Sequence, residues 1–203
     1  TLMSHKYASI SGIGMITSAG LSIDDLWNAC KESKVITSDG LGKISEKNLN
    51  IIQNHVDDSK WLKKKPIHFS RGLYFSLYSI IQAVTSAGWK KFSATDSIFI
   101  GTTTGTLSMW EKEMFSFFRD TKNTKLEEKI KNQSLSSLGN QIRESLGFEG
   151  KIFIISSACS ASTQAFVEAL NSLNAKQATR CIVGGVEELG ELTIRGFSSL
   201  KLH

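Results

Sequence analysis

Short apolar runs alternate with amphipathic stretches along most of this chain. Apolar runs with the length of strands occur at residues 7–13, 97–100, 151–155 and 181–183, and glycines or small polar residues follow them. Short strands separated by helices are typical of a parallel sheet covered on both faces. The pattern therefore predicts an α/β fold with functional groups at the carboxyl ends of the strands.

Serine residues mark the start of two predicted helices. Ser22 precedes Asp24 and Asp25, whose carboxylates favour the positive end of a helix dipole. Ser70 precedes an apolar stripe at helical spacing, which we expect to end at Gly88. The stripe comprises Leu73, Leu77, Ile80, Ile81 and Val84.

Three further helices are predicted from the same periodicity. They cover residues 107–118, residues 134–146 before a stop at Gly147, and the segment that follows Cys159. The apolar face of the last segment comprises Ala161, Ala165, Phe166, Ala169, Leu170 and Leu173. Residues 34–69 are interpreted as a long polar loop.

Composition restricts the class of protein only broadly. The chain has 203 residues, 40% of them hydrophobic and 21% charged, which suits a globular protein with a core. Neither a secretory signal nor an apolar run of membrane-spanning length is visible, so we expect a cytoplasmic protein without membrane contact. The formal net charge of +5 favours an acidic partner.

The basic residues do not resemble a nucleic-acid site. Lys63-Lys64-Lys65 is the only basic run, and aromatic residues do not alternate with it. Cys30, Cys159 and Cys181 are odd in number and widely spaced, which fits neither a disulfide framework nor a zinc site. We therefore expect reduced thiols, no metal and no nucleic-acid partner.

Cys159 is the strongest candidate for chemistry. It follows an apolar strand and a Ser156-Ser157-Ala158 turn, and it opens an alanine-rich helical segment. Free amides in the first helical turn and the helix dipole stabilise a thiolate, and the small neighbours leave room for a substrate. Most free cysteines are buried apolar residues, but this pattern favours a nucleophile.

Several motifs occur in an ordered set with this cysteine. They are Gly12-Ile13-Gly14-Met15-Ile16-Thr17, Gly101-Thr102-Thr103-Thr104-Gly105, Ser157-Ala158-Cys159-Ser160-Ala161, Gly184-Gly185-Val186-Glu187 and Gly196-Phe197-Ser198-Ser199-Leu200. With them, nearly the whole chain resembles the N-terminal half of the β-ketoacyl-acyl carrier protein synthases, which have the thiolase-like fold. The alanine-cysteine-serine sequence is more similar to an elongating ketosynthase than to a thiolase.

The resemblance implies a layered α/β/α/β/α architecture built from two similar halves and a homodimer or heterodimer. It also implies that Cys159 accepts an acyl group from the phosphopantetheine thiol of an acyl carrier protein, before decarboxylative condensation with a malonyl carrier in fatty acid, polyketide or polyene biosynthesis. The Cys159 N–H would be one donor of the oxyanion hole, and Thr104 would line the acyl pocket. No further cofactor is implied, because the carrier brings phosphopantetheine.

The two catalytic histidines of the family lie in its C-terminal half. His5, His55, His68 and His203 stand in no matching context, and the chain ends at His203. We therefore expect residues 1–203 to be the N-terminal domain of a longer enzyme, inactive alone and with apolar faces left uncovered.

Parts of the sequence also suggest three other functions. Gly12-Ile13-Gly14 after a strand suggests a dinucleotide-binding oxidoreductase, but Thr17 occupies the position of the third glycine. A hydrolase elbow would need glycines where Ser157 and Ala161 stand. A non-catalytic ketosynthase-like subunit of a heterodimer stays open as an alternative, although such subunits typically replace the cysteine.

Overall fold

The computed structural model describes residues 7–34, 37, 41–66, 70–107, 110–111, 114 and 134–201. The helices are α1 (Ile23–Lys31), α2 (Glu46–Asp57), α3 (Arg71–Ser86), α4 (Leu135–Leu146), α5 (Ala161–Asn174) and α6 (Glu191–Ser199). The strands are β1 (Asp96–Gly101), β2 (Lys151–Ile155) and β3 (Arg180–Gly185), and a 3₁₀ turn spans Ala158–Ser160.

The three strands form a parallel sheet in the order β2-β1-β3. Every residue of the central strand β1 is buried. Gly101 at the end of β1 pairs with Ile155 of β2 and with Gly185 of β3. All three strands therefore end at one edge, and the segments that leave them lie side by side.

The larger core lies on one face of the sheet. Side chains of α2, α3 and α4 pack there against Ile98 and Ile100 of β1. The apolar stripe predicted for α3 is buried within this core. The predicted α/β class is confirmed.

The opposite face is covered by α5 alone among the described helices. Ala161, Ala165 and Ala169 of α5 are buried, and Ala165 and Ala169 form a small cluster with Phe99. Phe166, Val167 and Leu170 point away from the sheet and are 40–49% exposed. This helix thus presents an apolar outer surface.

The prediction of a strand at residues 7–13 is wrong. Residues 7–16 form no strand, because their backbone lies along α3 rather than beside a strand. The amide of Ile13 donates to Ser86 Oγ, and the amide of Met15 donates to Gln82 Oε1. A Cβ at Gly14 would lie 1.9 Å from the carbonyl oxygen of Ser79, so the close approach requires glycine.

The interpretation of residues 34–69 as a loop is also wrong in part, because α2 lies within them. Ser45 caps α2 by accepting from the amide of Asn48. Leu49, Ile52 and Val56 form its buried face. Three apolar residues at helical spacing suffice here because α3 packs beside them.

The other predicted helices are confirmed where the structure describes them. Ser22 accepts from the amide of Asp25, and Ser70 accepts from the amide of Leu73. Gly147 ends α4 in the left-handed conformation at φ 57°. The predicted helix at 107–118 falls largely outside the described residues.

Strand β3 includes Gly184 and Gly185, so it extends two residues beyond the strand predicted at 181–183. Among the described residues, no helix is both long enough and apolar enough to cross a membrane.

Candidate active site

Cys159 is exposed and lies in the 3₁₀ turn between β2 and α5. The helix itself begins two residues later, at Ala161. The sequence pattern predicts that the cysteine opens the helix, whereas in the structure it lies in a separate turn directly before the helix. The thiol is accessible and close in sequence to the helix N-terminus.

The cysteine turn is closed by Ser157 and Ser160. The amide and the hydroxyl of Ser160 both donate to the carbonyl oxygen of Ser157, at 3.2 and 2.8 Å. Ala158 between them has φ 50°, in the left-handed region. This conformation costs an L-residue about 1 kcal/mol, so the neighbouring structure must hold it.

The N-terminus of α5 has no side-chain cap. Its N-cap residue Ser160 makes no side-chain hydrogen bond to the first helical turn. Unpaired amides at a helix start carry a partial positive charge. Cys159 lies directly before this helix start, with its side chain exposed.

Glycines at the strand ends allow α5 to approach the sheet. A Cβ on Gly185 would lie 2.0 Å from Ser162 Oγ in the first turn of α5. The amide of Val186 donates to the carbonyl oxygen of Gly101, which joins the ends of β3 and β1. These contacts fix the start of the helix relative to the sheet.

Residues 102–104 leave β1 beside the cysteine turn and surround the carboxylate of Glu187. Glu187 Oε1 accepts from the amide of Thr103 and from Thr102 Oγ1. Glu187 Oε2 accepts from Thr104 Oγ1 at 2.6 Å and from the Thr104 amide at 3.3 Å. Thr103 Oγ1 donates across to the carbonyl oxygen of Ala158 at 3.4 Å.

The structure thus brings Thr104 to the same edge as Cys159, through its neighbour Thr103. The Thr104 hydroxyl is engaged with Glu187. Its part in an acyl pocket stays a prediction. The sequence pattern predicts no role for Glu187, although the glycine pair before it marks the end of a strand.

Two further carboxylates cap helices near this edge. Glu188 is buried, and its Oε1 accepts from the amide of Gly72 and the hydroxyl of Ser70 at the start of α3. Burial raises the pKa of Glu188, and these two hydrogen bonds oppose the rise. Glu111 is also buried and accepts from the amides of Glu191 and Leu192 at the start of α6.

The other cysteines have different surroundings. Cys30 is exposed on α1. Cys181 is half-buried in β3, and burial together with the charge of Asp96 raises its pKa to about 11. His55 lies on α2 with its ring 4.8 Å from that of Tyr78, while His5, His68 and His203 lie outside the described residues.

Residues 8–203 match the family model described as "Beta-ketoacyl synthase, N-terminal domain". The chain belongs to the β-ketoacyl synthase family. The recognition made from the ordered motifs is therefore confirmed for nearly the whole of this ketosynthase domain.

Solved structures of ketosynthases share the fold at low sequence identity. A β-ketoacyl synthase from Burkholderia phymatum superposes with a TM-score of 0.70 at 18% identity, over 94% of this chain and 49% of its own. The ishigamide ketosynthase/chain length factor superposes with a TM-score of 0.67 at 15% identity, over 94% of this chain and 50% of its own. The ketosynthase ApeO from Xenorhabdus doucetiae, in complex with its chain length factor ApeC, superposes with a TM-score of 0.63 at 18% identity. The match covers 96% of this chain and 52% of the solved chain.

The ketosynthase domain thus spans about half the length of these solved chains. No curated protein sequence matches it.

Proposed function

We propose that this domain supplies the acyl-carrying nucleophile of a β-ketoacyl-acyl carrier protein synthase. The observation that carries the proposal is the exposed Cys159, held in a turn directly before the uncapped N-terminus of α5. A nucleophile of this kind needs access, a nearby positive potential and a fixed backbone.

The chemistry consists of two acyl transfers. The Cys159 thiolate attacks the acyl thioester of the carrier, an Sγ–C bond forms, and the carrier's phosphopantetheine thiolate leaves and takes up a proton. In the second stage the malonyl C–C bond breaks and carbon dioxide leaves. The resulting enolate carbon attacks the acyl group, and Cys159 Sγ leaves as a thiolate. No cofactor beyond the carrier's phosphopantetheine is required.

Residues 1–203 are proposed to work with a second ketosynthase-like half that covers α5. The outer residues Phe166, Val167 and Leu170 are 40–49% exposed, although the inner face of the same helix is buried. Exposed apolar patches of this kind mark interaction surfaces. The second half would also supply the histidines that the family uses for decarboxylation.

An acyl carrier protein is the proposed donor and acceptor of the acyl group. The net charge of +5 is suited to an acidic partner. In a solved structure of similar fold, AntDE:AntF, a type II PKS acyl-carrier protein is in complex with its ketosynthase bound to the hexaketide. The carrier therefore suits both the charge of this chain and the family to which it belongs.

A non-catalytic subunit of a ketosynthase heterodimer is the second candidate. It is favoured by the fold shared with two ketosynthase/chain length factor assemblies. Retention of Cys159 favours the enzyme, because a scaffold subunit has no use for an exposed thiol before a helix.

The two candidates differ in the behaviour of the thiols toward iodoacetamide. We expect the complete gene product to be alkylated at Cys159 faster than at Cys30 at neutral pH, and prior incubation with an acyl carrier thioester to protect Cys159 alone. Cys181, with its pKa raised to about 11, serves as the slow internal control. Peptide mass mapping measures all three rates in one sample.

Equal alkylation of Cys159 and Cys30, without protection by the acyl donor, would contradict the enzyme and favour the scaffold subunit.

A further inference from the structure

We propose that Glu187 is a positioning residue for the Cys159 nucleophile. This inference rests on the proposed function and adds a residue to the machinery of the same site. Glu187 would act through the residues that follow β1 and would not touch the acyl group itself.

The first step is the convergence of four donors on one carboxylate. The amides of Thr103 and Thr104 and the hydroxyls of Thr102 and Thr104 all donate to Glu187. Hydrogen bonds to a charged acceptor are about twice as strong as neutral ones. The carboxylate therefore ties together three consecutive residues that have already left the sheet.

The second step is a further bond within the same turn. Thr102 Oγ1 also accepts from the amide of Gly105, which has φ 58°. Thr102 Oγ1 thus donates to Glu187 and accepts from Gly105 at the same time. The orientation of this hydroxyl, and with it the shape of the turn, depends on Glu187.

The third step links the turn to the nucleophile. Thr103 Oγ1 donates to the carbonyl oxygen of Ala158, which also accepts from the amide of Ala161. Ala158 precedes Cys159 and has φ 50°, which needs support from its surroundings. Thr103 is thus the described side chain that holds the peptide between Ala158 and Cys159 from outside the cysteine turn.

Glu187 and Glu188 differ in a way that separates positioning from folding. Glu188 is buried and caps α3, whereas Glu187 is exposed and, among the described residues, accepts hydrogen bonds from residues 102–104. Loss of the Glu187 carboxylate should therefore disturb the active-site edge and leave the core unchanged. Glu188→Gln is the matched control, one residue away.

The test is a kinetic comparison in the complete gene product. Acylation of Cys159 by a carrier thioester is followed by intact mass over a range of donor concentrations. We expect Glu187→Gln to lower kcat by about ten-fold, because small misplacement of a nucleophile is costly, with KM unchanged. Thermal unfolding should remain at the wild-type temperature, and Glu188→Gln should acylate at the wild-type rate.

Coupling through Thr103 is tested with three more variants. Thr103→Val should reproduce the loss in kcat, and Thr103→Ser, which keeps the hydroxyl, should recover most of it. The double variant Glu187→Gln with Thr103→Val should be no slower than either single variant. A merely structural role would not give this pattern at constant stability.

Three results would each overturn the positioning role. They are a wild-type kcat in Glu187→Gln, a change in that variant confined to KM, and losses in kcat that multiply in the double variant. If the unchanged protein is not acylated at all, the proposed function fails instead. The ratio of iodoacetamide rates at Cys159 and Cys30 then tests positioning alone: a lower ratio in Glu187→Gln supports it, and an unchanged ratio overturns it.

Discussion

A Cβ atom on Gly101 would lie 2.4 Å from the carbonyl carbon of Ala161, so the end of β1 and the start of α5 are in backbone contact. The two other nearest atoms, at 2.5 Å, are also backbone atoms of α5. No side-chain rotation can relieve such a contact. Gly101 therefore determines how closely α5 approaches the sheet.

Gly101→Ala is expected to destabilise the protein by about 3 kcal/mol, at the upper end of the range for overpacking. It should also slow the alkylation of Cys159, because α5 must move. Gly184→Ala is the control, since no described atom lies within 4 Å of its Cβ position. Urea unfolding of both variants checks the difference, and equal stabilities would contradict the role of Gly101.

Ala158 should tolerate glycine better than a β-branched residue. Its φ of 50° favours glycine, but glycine also gains entropy in the unfolded chain, so Ala158→Gly should stay within about 1 kcal/mol of the wild type. Ala158→Val should lose about 2 kcal/mol, because a branched side chain is strained at positive φ. Chemical denaturation measures both, and a valine variant as stable as the wild type would argue against this backbone conformation.

The paired charges of Asp96 and Arg180 join the starts of β1 and β3. Arg180 donates to both carboxylate oxygens of the fully buried Asp96, at 2.9 and 2.6 Å. We expect Arg180→Ala to cost about 3 kcal/mol, because it leaves a buried carboxylate without its partner.

The exposed pair of Arg195 and Glu191 offers the control for this prediction. Arg195→Ala should change the free energy of unfolding by less than about 0.5 kcal/mol. Similar losses from the two arginine variants would show that burial of Asp96 does not determine the effect.

Glu188 should make the stability depend on pH in the direction of its raised pKa. Because its pKa is higher in the folded state, its contribution is complete below the unfolded pKa and is lost as pH rises through the folded value. Glu188→Gln keeps an acceptor for Ser70 and Gly72 and has no carboxyl to ionise. The variant should therefore gain stability relative to the wild type as pH rises from 4 to 7.

Thermal unfolding across that pH range measures the difference. If the difference in stability between Glu188→Gln and the wild type did not change with pH, ionisation of Glu188 would be excluded as the cause of that difference.

Local signals in the sequence predicted much of the fold. The Ser70 cap, the stripe from Leu73 to Val84 and the stop at Gly147 depend on neighbours within a few residues, and the structure confirms them. The position of Cys159 before α5 followed from the strand, the small-residue turn and the helical face around it.

Long-range contacts explain what the sequence did not reveal. Residues 7–13 include apolar side chains, such as Ile10 and Ile13, that suggest a strand, but their backbone lies along α3, which no local pattern indicates. The helix α2 has a narrow apolar face, and this face is buried because α3 packs beside it. Glu187 meets Thr103 across 84 positions of sequence, so its role depends on the sheet order.

Acyl loading of Cys159 tests the central claim most directly. The complete gene product is mixed with an acyl carrier thioester, and the protein is analysed by intact mass and peptide mapping. The account predicts one acyl adduct, on the peptide that carries Cys159, and no adduct in Cys159→Ala. An unmodified Cys159, or an acyl group found instead on Cys30, would contradict it.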